Sequence, residues 1–219
     1  MNKPSVHIFF VNVGMVWEEL SAWRVLWLAD ERYQVAAQGA RAPGMPTGCN
    51  RNLAVKRFLE HGSDYMLMID DDTVPTANVL DLVEYDLDIT VFPTPMFRPR
   101  EGDYPIFFNV ELLGVGGEDE QFVLRDPKPL MEVVGGGSGC ILIARRVLEH
   151  PAMRAPFLDD LDPDGVQVAS HDVEFIRRAR MIGFRAWAAM EYPCSHIKSL
   201  DLLLVSRIYQ RLINQARGE

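Results

Sequence analysis

The apolar positions of the first 70 residues follow two alternating rhythms. Residues 6–13, "VHIFFVNV", form a continuous, largely apolar run of strand length, as expected of a strand covered on both faces. Residues 17–30, "WEELSAWRVLWLAD", carry apolar side chains at helical spacing and predict an amphipathic helix. Residues 33–38, "YQVAAQ", predict a second strand. Residues 39–48, "GARAPGMPTG", hold Gly and Pro without periodicity and read as a loop. Residues 50–60, "NRNLAVKRFLE", predict a helix ended at His61 and Gly62, and residues 65–69, "YMLMI", a third strand. Strand, helix, strand, helix, strand is the signature of an α/β domain with a parallel sheet. In such sheets ligands gather outside the carboxyl ends of the strands.

A short helix over residues 77–85 and a strand over 88–92 continue the theme. The texture then changes. Residues 92–105, "FPTPMFRPREGDYP", are Pro-rich and irregular. Residues 106–113, 121–125 and 130–134 predict extended segments with no helix between them, closer to α+β than to a doubly wound sheet. A loop "GGGSG" (135–139), a strand "CILIA" (140–144) and a short helix from Arg145 follow. Next come an acidic loop (157–165), a helix (172–182), a strand (184–188) and a terminal amphipathic helix (200–216). With no repeat and no linker, the expectation is a single α/β domain. Its two unequal halves are residues 1–95 and 96–219.

Composition narrows this picture modestly. Hydrophobic residues are 48% and charged residues 24% of 219, a globular balance able to bury a sizeable core. The net charge of −9 disfavours an affinity built on neutralising a phosphate backbone. Cys49, Cys140 and Cys194 are odd in number and lack zinc-type spacing, which points to a reducing compartment. The first apolar run is too short for a signal peptide, and no run of about 18 apolar residues exists. A cytoplasmic protein without a membrane span is expected.

The chemistry begins where the third strand ends, in Asp70, Asp71 and Asp72. Alternate positions of an extended segment point the same way, so Asp70 and Asp72 can share a target. Carboxylates this close repel unless a cation lies between them. Mg²⁺ and Mn²⁺ favour such oxygen ligands, completed by substrate phosphates. The plain alternative is a solvated acidic turn in which Asp72 or Thr73 caps the next helix. Asp172, at a helix start, reads as a cap. Gly135, Gly136 and Gly137 let the backbone approach a ligand closely. Arg98 is a weaker phosphate candidate.

Taken together, "DYMLMIDDDTVP" resembles the D-x-D segment of GT-A-fold glycosyltransferases of the family-2-like type. "NRNLAVKRFLE", "GGGSGCILIARRVLE", "SHDVEFIRRARMIGFRAW" and "CSHIKS" resemble further motifs in the order those enzymes use them. The resemblance spans residues 50–200. It implies a GT-A-like fold, with a Rossmann-like, mostly parallel sheet, helices on both faces and a smaller mixed acceptor-side half. It implies a sugar transferred from a nucleotide-diphosphate donor, UDP-sugars being the commonest, to an acceptor hydroxyl.

The residue roles it implies are these. Asp72 touches a Mn²⁺ or Mg²⁺ ion, Asp70 supports it or faces the ribose, and His196 is a further ligand. Asp172 is the general base. Arg51, Asn52, Asp71 and Lys198 face the nucleotide-sugar, with Asn12 near the base. Gly136, Gly137 and Ser138 line the sugar or acceptor side.

Two departures stand out. His171 replaces the acidic residue that usually precedes the base, so it is read as orienting the acceptor or bonding a phosphate. "VNVGMV" replaces the usual turn after the first strand. The acceptor stays open: a saccharide, a protein or a hydroxylated DNA base. Other readings are a non-catalytic nucleotide-sugar-binding module, and a haloacid-dehalogenase-like phosphatase using Asp70 as nucleophile. The second motif normally lies on a first strand, whereas two predicted strands precede it here. A nucleotidyltransferase would want a Gly-rich loop and a basic residue after the first strand, which "VNVGMVWEE" lacks.

Overall fold

A computed structural model describes residues 3–11, 18–41, 44–97, 106–113, 128–198 and 202–217. In chain order these form β1 (Ser5–Val11), α1 (Glu18–Leu28), β2 (Gln34–Ala40), α2 (Thr47–His61) and β3 (Tyr65–Asp70). Next come β4 (Thr73–Pro75), a 3-10 helix (Val79–Tyr85), β5 (Ile89–Val91), β6 (Pro95–Phe97), β7 (Ile106–Phe108) and β8 (Val110–Leu112). The remainder comprises β9 (Leu130–Gly136), β10 (Cys140–Ala144), α3 (Arg145–Leu148), β11 (Asp160–Leu161), β12 (Gln167–Ala169), α4 (His171–Met181), β13 (Ala186–Ala189), β14 (Cys194–His196) and α5 (Leu202–Arg217). No helix among the described residues is long and apolar enough to cross a membrane.

The main sheet has eight strands in the order β2-β1-β3-β10-β5-β13-β9-β8. The pairs β1–β2, β1–β3 and β5–β13 are parallel. β10 lies antiparallel between β3 and β5, and β9 antiparallel between β13 and β8. The fold is therefore mixed α/β. The expectation of consecutive parallel neighbours holds only for the first three strands. β5, the next strand of this sheet in chain order after β3, is not β3's neighbour, because β10 from the second half of the chain inserts there.

The unbroken apolar runs are explained by burial on both faces. On one face Phe9, Val11, Met66, Met68, Ile141 and Ile143 pack with Phe58 of α2 and Phe175 of α4. On the other, Ile8, Phe10, Leu67, Ile69 and Leu142 pack with Leu20 and Trp27 of α1 and with Leu80 of the 3-10 helix. The alternation is the two-residue period of a strand.

Several expected elements shift. The helix expected over 77–85 is a 3-10 helix whose Asn78 side chain accepts from the Leu80 N–H. The glycine stretch is not all loop, because Gly135 and Gly136 close β9 opposite Glu111 and Val110. The extended segment 106–113 breaks at Asn109 into β7 and β8. Within the acidic loop, Asp160 and Leu161 pair with β12 as a short antiparallel ribbon. The segment 121–125, Asn12 and Arg98 lie outside the described residues.

Candidate functional site

The three aspartates divide between two environments. Asp70 ends β3, while Asp71 and Asp72 make the turn into β4. On α2 the buried stripe runs Arg51, Ala54, Val55 and Phe58, so helical spacing sends Arg51 toward the sheet rather than outward. Its Nη1 donates to Asp70 Oδ1 at 2.9 Å and its Nη2 to Oδ2 at 2.8 Å, with the Arg51 side chain only 3% exposed. Such a two-pronged pair is strong and directional. Burial pushes the Asp70 carboxyl above its ordinary range, opposed by the charge and hydrogen bonds of Arg51.

The same guanidinium reaches α4. Arg51 Nε donates to His171 Nε2 at 3.4 Å. His171 Nδ1 lies 3.2 Å from Asp159 Oδ1, which also accepts the His171 backbone N–H at 2.8 Å. A carboxylate only accepts, so Nδ1 carries the proton and Nε2 offers its lone pair to Arg51. The chain Asp159–His171–Arg51–Asp70 thus ties the start of α4 to the end of β3. An acidic residue at position 171 could not both donate to Asp159 and accept from Arg51. Asn52 is likewise engaged in packing. Its amide bonds the Phe157 carbonyl and N–H at 2.9 and 3.0 Å.

Asp72 faces another group altogether. The ribbon of β4 and β14 sets His196 opposite Thr73, and the Ile197 N–H donates to the Asp72 carbonyl at 2.8 Å. His196 Nε2 lies 3.4 Å from Asp72 Oδ2. His196 Nδ1 is 2.9 Å from the Pro95 carbonyl, which can only accept, so in the neutral ring Nε2 presents a lone pair beside the carboxylate. Lys198 Nζ donates to the same Oδ2, and the Thr73 hydroxyl to Oδ1 at 3.3 Å. Desolvation pushes the Asp72 carboxyl up, but the neighbouring His196 and the hydrogen bond and charge of Lys198 outweigh it and hold the group well below its ordinary value.

Among the described residues no three His, Cys, Asp or Glu side chains converge on a metal position. The pair of Asp72 and His196 still suits a hard-to-borderline divalent cation. Mg²⁺ and Mn²⁺ often take one or two protein ligands and complete their shell with water and substrate phosphate. Asp70 is held differently, both its oxygens accepting from Arg51. The same clamp argues against Asp70 as a free phosphatase nucleophile.

Asp172 lies on α4 one turn before Phe175 and Ile176, at the head of the helix's buried stripe. The helix starts one residue earlier than expected, with Ser170 as its cap. The Ser170 hydroxyl bonds Asp172 Oδ1, which also accepts the Val173 N–H at 3.0 Å. Asp172 lines a cavity of about 240 Å³ together with Gly136, Gly137, Asn109, Glu111 and Phe108. At Gly137 a Cβ would stand 2.1 Å from Asn109 Nδ2, and Asn109 is itself held by the Thr94 N–H at 2.8 Å, so only glycine fits. The strand connection then continues to Gly139, whose carbonyl accepts the Asp70 N–H at 2.7 Å. The glycine segment therefore links the Asp172 cavity to the aspartate turn. Ser138, between them, is 1% exposed and its Oγ has no partner among the described residues. A larger groove of about 980 Å³ runs along α2 and residues 151–156 and contains none of the candidate carboxylates.

Asn109, Glu111 and Asp159 have no motif in the sequence. Asn109 interrupts an apolar run, and Asp159 sits in an acidic stretch that reads as a solvated loop. Only the strand pairing and the α4 contact bring them in.

No protein-family model matches the chain, and no curated protein does. Solved structures do match. A197 from STIV superposes with a TM-score of 0.55 at 18% identity, over 90% of this chain and 86% of that one, which shows a shared fold. A glycosyltransferase involved in the glycosylation of the major capsid of PBCV-1 gives a TM-score of 0.36 at 8% identity, over 67% of this chain and 62% of that one. GalNAc-T7, solved with UDP, GalNAc and Mn²⁺, gives 0.49 at 12% identity, over 91% of this chain and 44% of that one. The chain thus spans less than two thirds of either glycosyltransferase.

Proposed function

We propose that this protein is a metal-assisted glycosyltransferase that moves a sugar from a nucleotide-diphosphate donor, a UDP-sugar first among them, to an acceptor hydroxyl. The observation that carries the reading is the meeting of Asp72 and His196. They come from opposite halves of the chain and approach to 3.4 Å at the end of a central strand, with the imidazole oriented by the Pro95 carbonyl.

Asp72 and His196 would hold the cation, whose chemistry is Lewis-acid neutralisation of the departing diphosphate. Lys198 and Asp71 stand beside it on the donor side. Asp172, across the glycine segment, takes the proton of the acceptor hydroxyl. Its Oδ1 is held by Ser170 and the Val173 N–H, which leaves Oδ2 for that proton. Arg51 acts on the donor side through Asp70, by fixing the strand end from which the turn departs. His171 braces Arg51. Gly136, Gly137 and Ser138 form the floor between donor and acceptor.

The test is donor turnover. With UDP-sugars and Mn²⁺ the protein is expected to release UDP slowly, and EDTA to stop the release. Asp172→Asn is expected to lower acceptor-dependent transfer by about 100-fold or more while donor binding survives. Donor binding without turnover, whatever the acceptor, would make the chain a binding module. Phosphate release from simple phosphate esters would overturn the reading outright.

A further inference from the structure

Both oxygens of the Asp72 carboxylate are engaged within the protein. Oδ1 accepts from the Thr73 hydroxyl, and Oδ2 accepts from Lys198 Nζ on the side where His196 Nε2 approaches. The Ile197 N–H, bonded to the Asp72 carbonyl at 2.8 Å, holds the backbone just before Lys198 alongside the turn. The ammonium therefore occupies the carboxylate oxygen that lies nearest His196. It is not built in as Arg51 is. The Lys198 side chain is 51% exposed, against 3% for Arg51, so its flexible stem can release the carboxylate without opening the core.

We propose that Lys198 is a resident counter-cation of Asp72 that a divalent ion must displace, and that the freed ammonium then turns to the diphosphate of the donor. The inference rests on the reading that Asp72 and His196 face that diphosphate. Its physical content is a competition. A compact ammonium satisfies one carboxylate oxygen as a hydrogen-bond donor. A divalent cation takes the carboxylate and the imidazole lone pair together as ligands and brings a second positive charge to them. Lys198 thereby keeps the metal-free site neutral and couples metal arrival to donor recognition.

Mn²⁺ alone is the probe, read from the loss of the free-Mn²⁺ electron paramagnetic resonance signal on the intact protein without nucleotide. Lys198→Met is expected to bind Mn²⁺ about tenfold tighter than the parent, because a charge-assisted hydrogen bond no longer has to be broken. Lys198→Arg is expected to keep the parent's weaker binding. Adding His196→Ala to Lys198→Met is expected to remove the gain. In saturating Mn²⁺, Lys198→Met is expected to bind UDP about tenfold more weakly. Equal or weaker Mn²⁺ affinity in Lys198→Met overturns the proposal, as does a gain that persists without His196. If those results appear while Asp172-dependent transfer is intact, only this inference fails. Absence of Asp172-dependent transfer sinks the transferase reading instead.

Discussion

Asp70 and Asp72 are two residues apart, yet they live in different parts of the molecule. Asp70 is gripped on both oxygens by a buried arginine and linked through His171 to Asp159. Asp72 faces His196, a ring oriented by the Pro95 carbonyl, and the half-exposed ammonium of Lys198. A strand end presents alternate residues to one side only while it stays extended. Here the chain turns after Asp70, so the pair is split. One carboxylate is clamped to α2, and the other meets β14 and Lys198.

The harshest test of that difference is to strip Asp70 of its partner. Arg51→Leu is expected to cost about 3–5 kcal/mol of folding stability, since it leaves a largely buried carboxylate uncompensated. Urea unfolding measures it, and a loss below about 1 kcal/mol would show that the Asp70 pair is not part of the frame.

The complementary change is Asp72→Asn. It is expected to lower donor turnover by about 100-fold, roughly 2.7 kcal/mol of transition-state stabilisation, with a smaller loss of stability than Arg51→Leu causes. A large stability loss with turnover intact would reverse the roles assigned to the two aspartates.

Acid unfolding sharpens the contrast more gently, at about 1.4 kcal/mol per pH unit for each proton taken up. Asp72 is held below its ordinary value, so its contribution is present above about pH 3.9 and fades as pH falls below it. His7, a buried residue of β1 stacked on Phe9, is pushed down to about 4 by burial and by His61. The fold favours its neutral form. Its contribution is therefore complete above about pH 6.5 and is lost as pH falls from there toward 4. His7→Phe should flatten the upper part of the curve and Asp72→Asn the lower part. An unchanged slope between pH 6.5 and 4 in His7→Phe would remove His7 from the account.

The departure at position 171 shows how a site residue can be legible in the sequence while its partner is not. "SHDVEF" marks the start of α4 and the candidate base, and the imidazole in place of a carboxylate is visible at once. Its reason is not, because Arg51 and Asp159 are distant in sequence and Asp159 reads as loop. Asn52 is a similar case. The motif "NRN" is plain, but only the packed structure shows Arg51 turned to Asp70 and Asn52 bonded to the Phe157 backbone. The glycine segment was legible as a close-approach element, though not that half of it would close a strand against β8.

By itself, the sequence determined the early strands and helices, the acidic strand end, the helix head at Asp172 and the histidine before the terminal helix. These are local properties, written in periodicities of two and 3.6 residues and in short runs of turn residues. Tertiary structure alone decided that β10 would enter between β3 and β5, that Arg51 would clamp both oxygens of Asp70, and that the chain at and after β14 would bring His196 and Lys198 to Asp72. Those outcomes depend on which distant segments pair. Such pairing is governed by the fit of whole faces, and no short stretch of sequence carries that information.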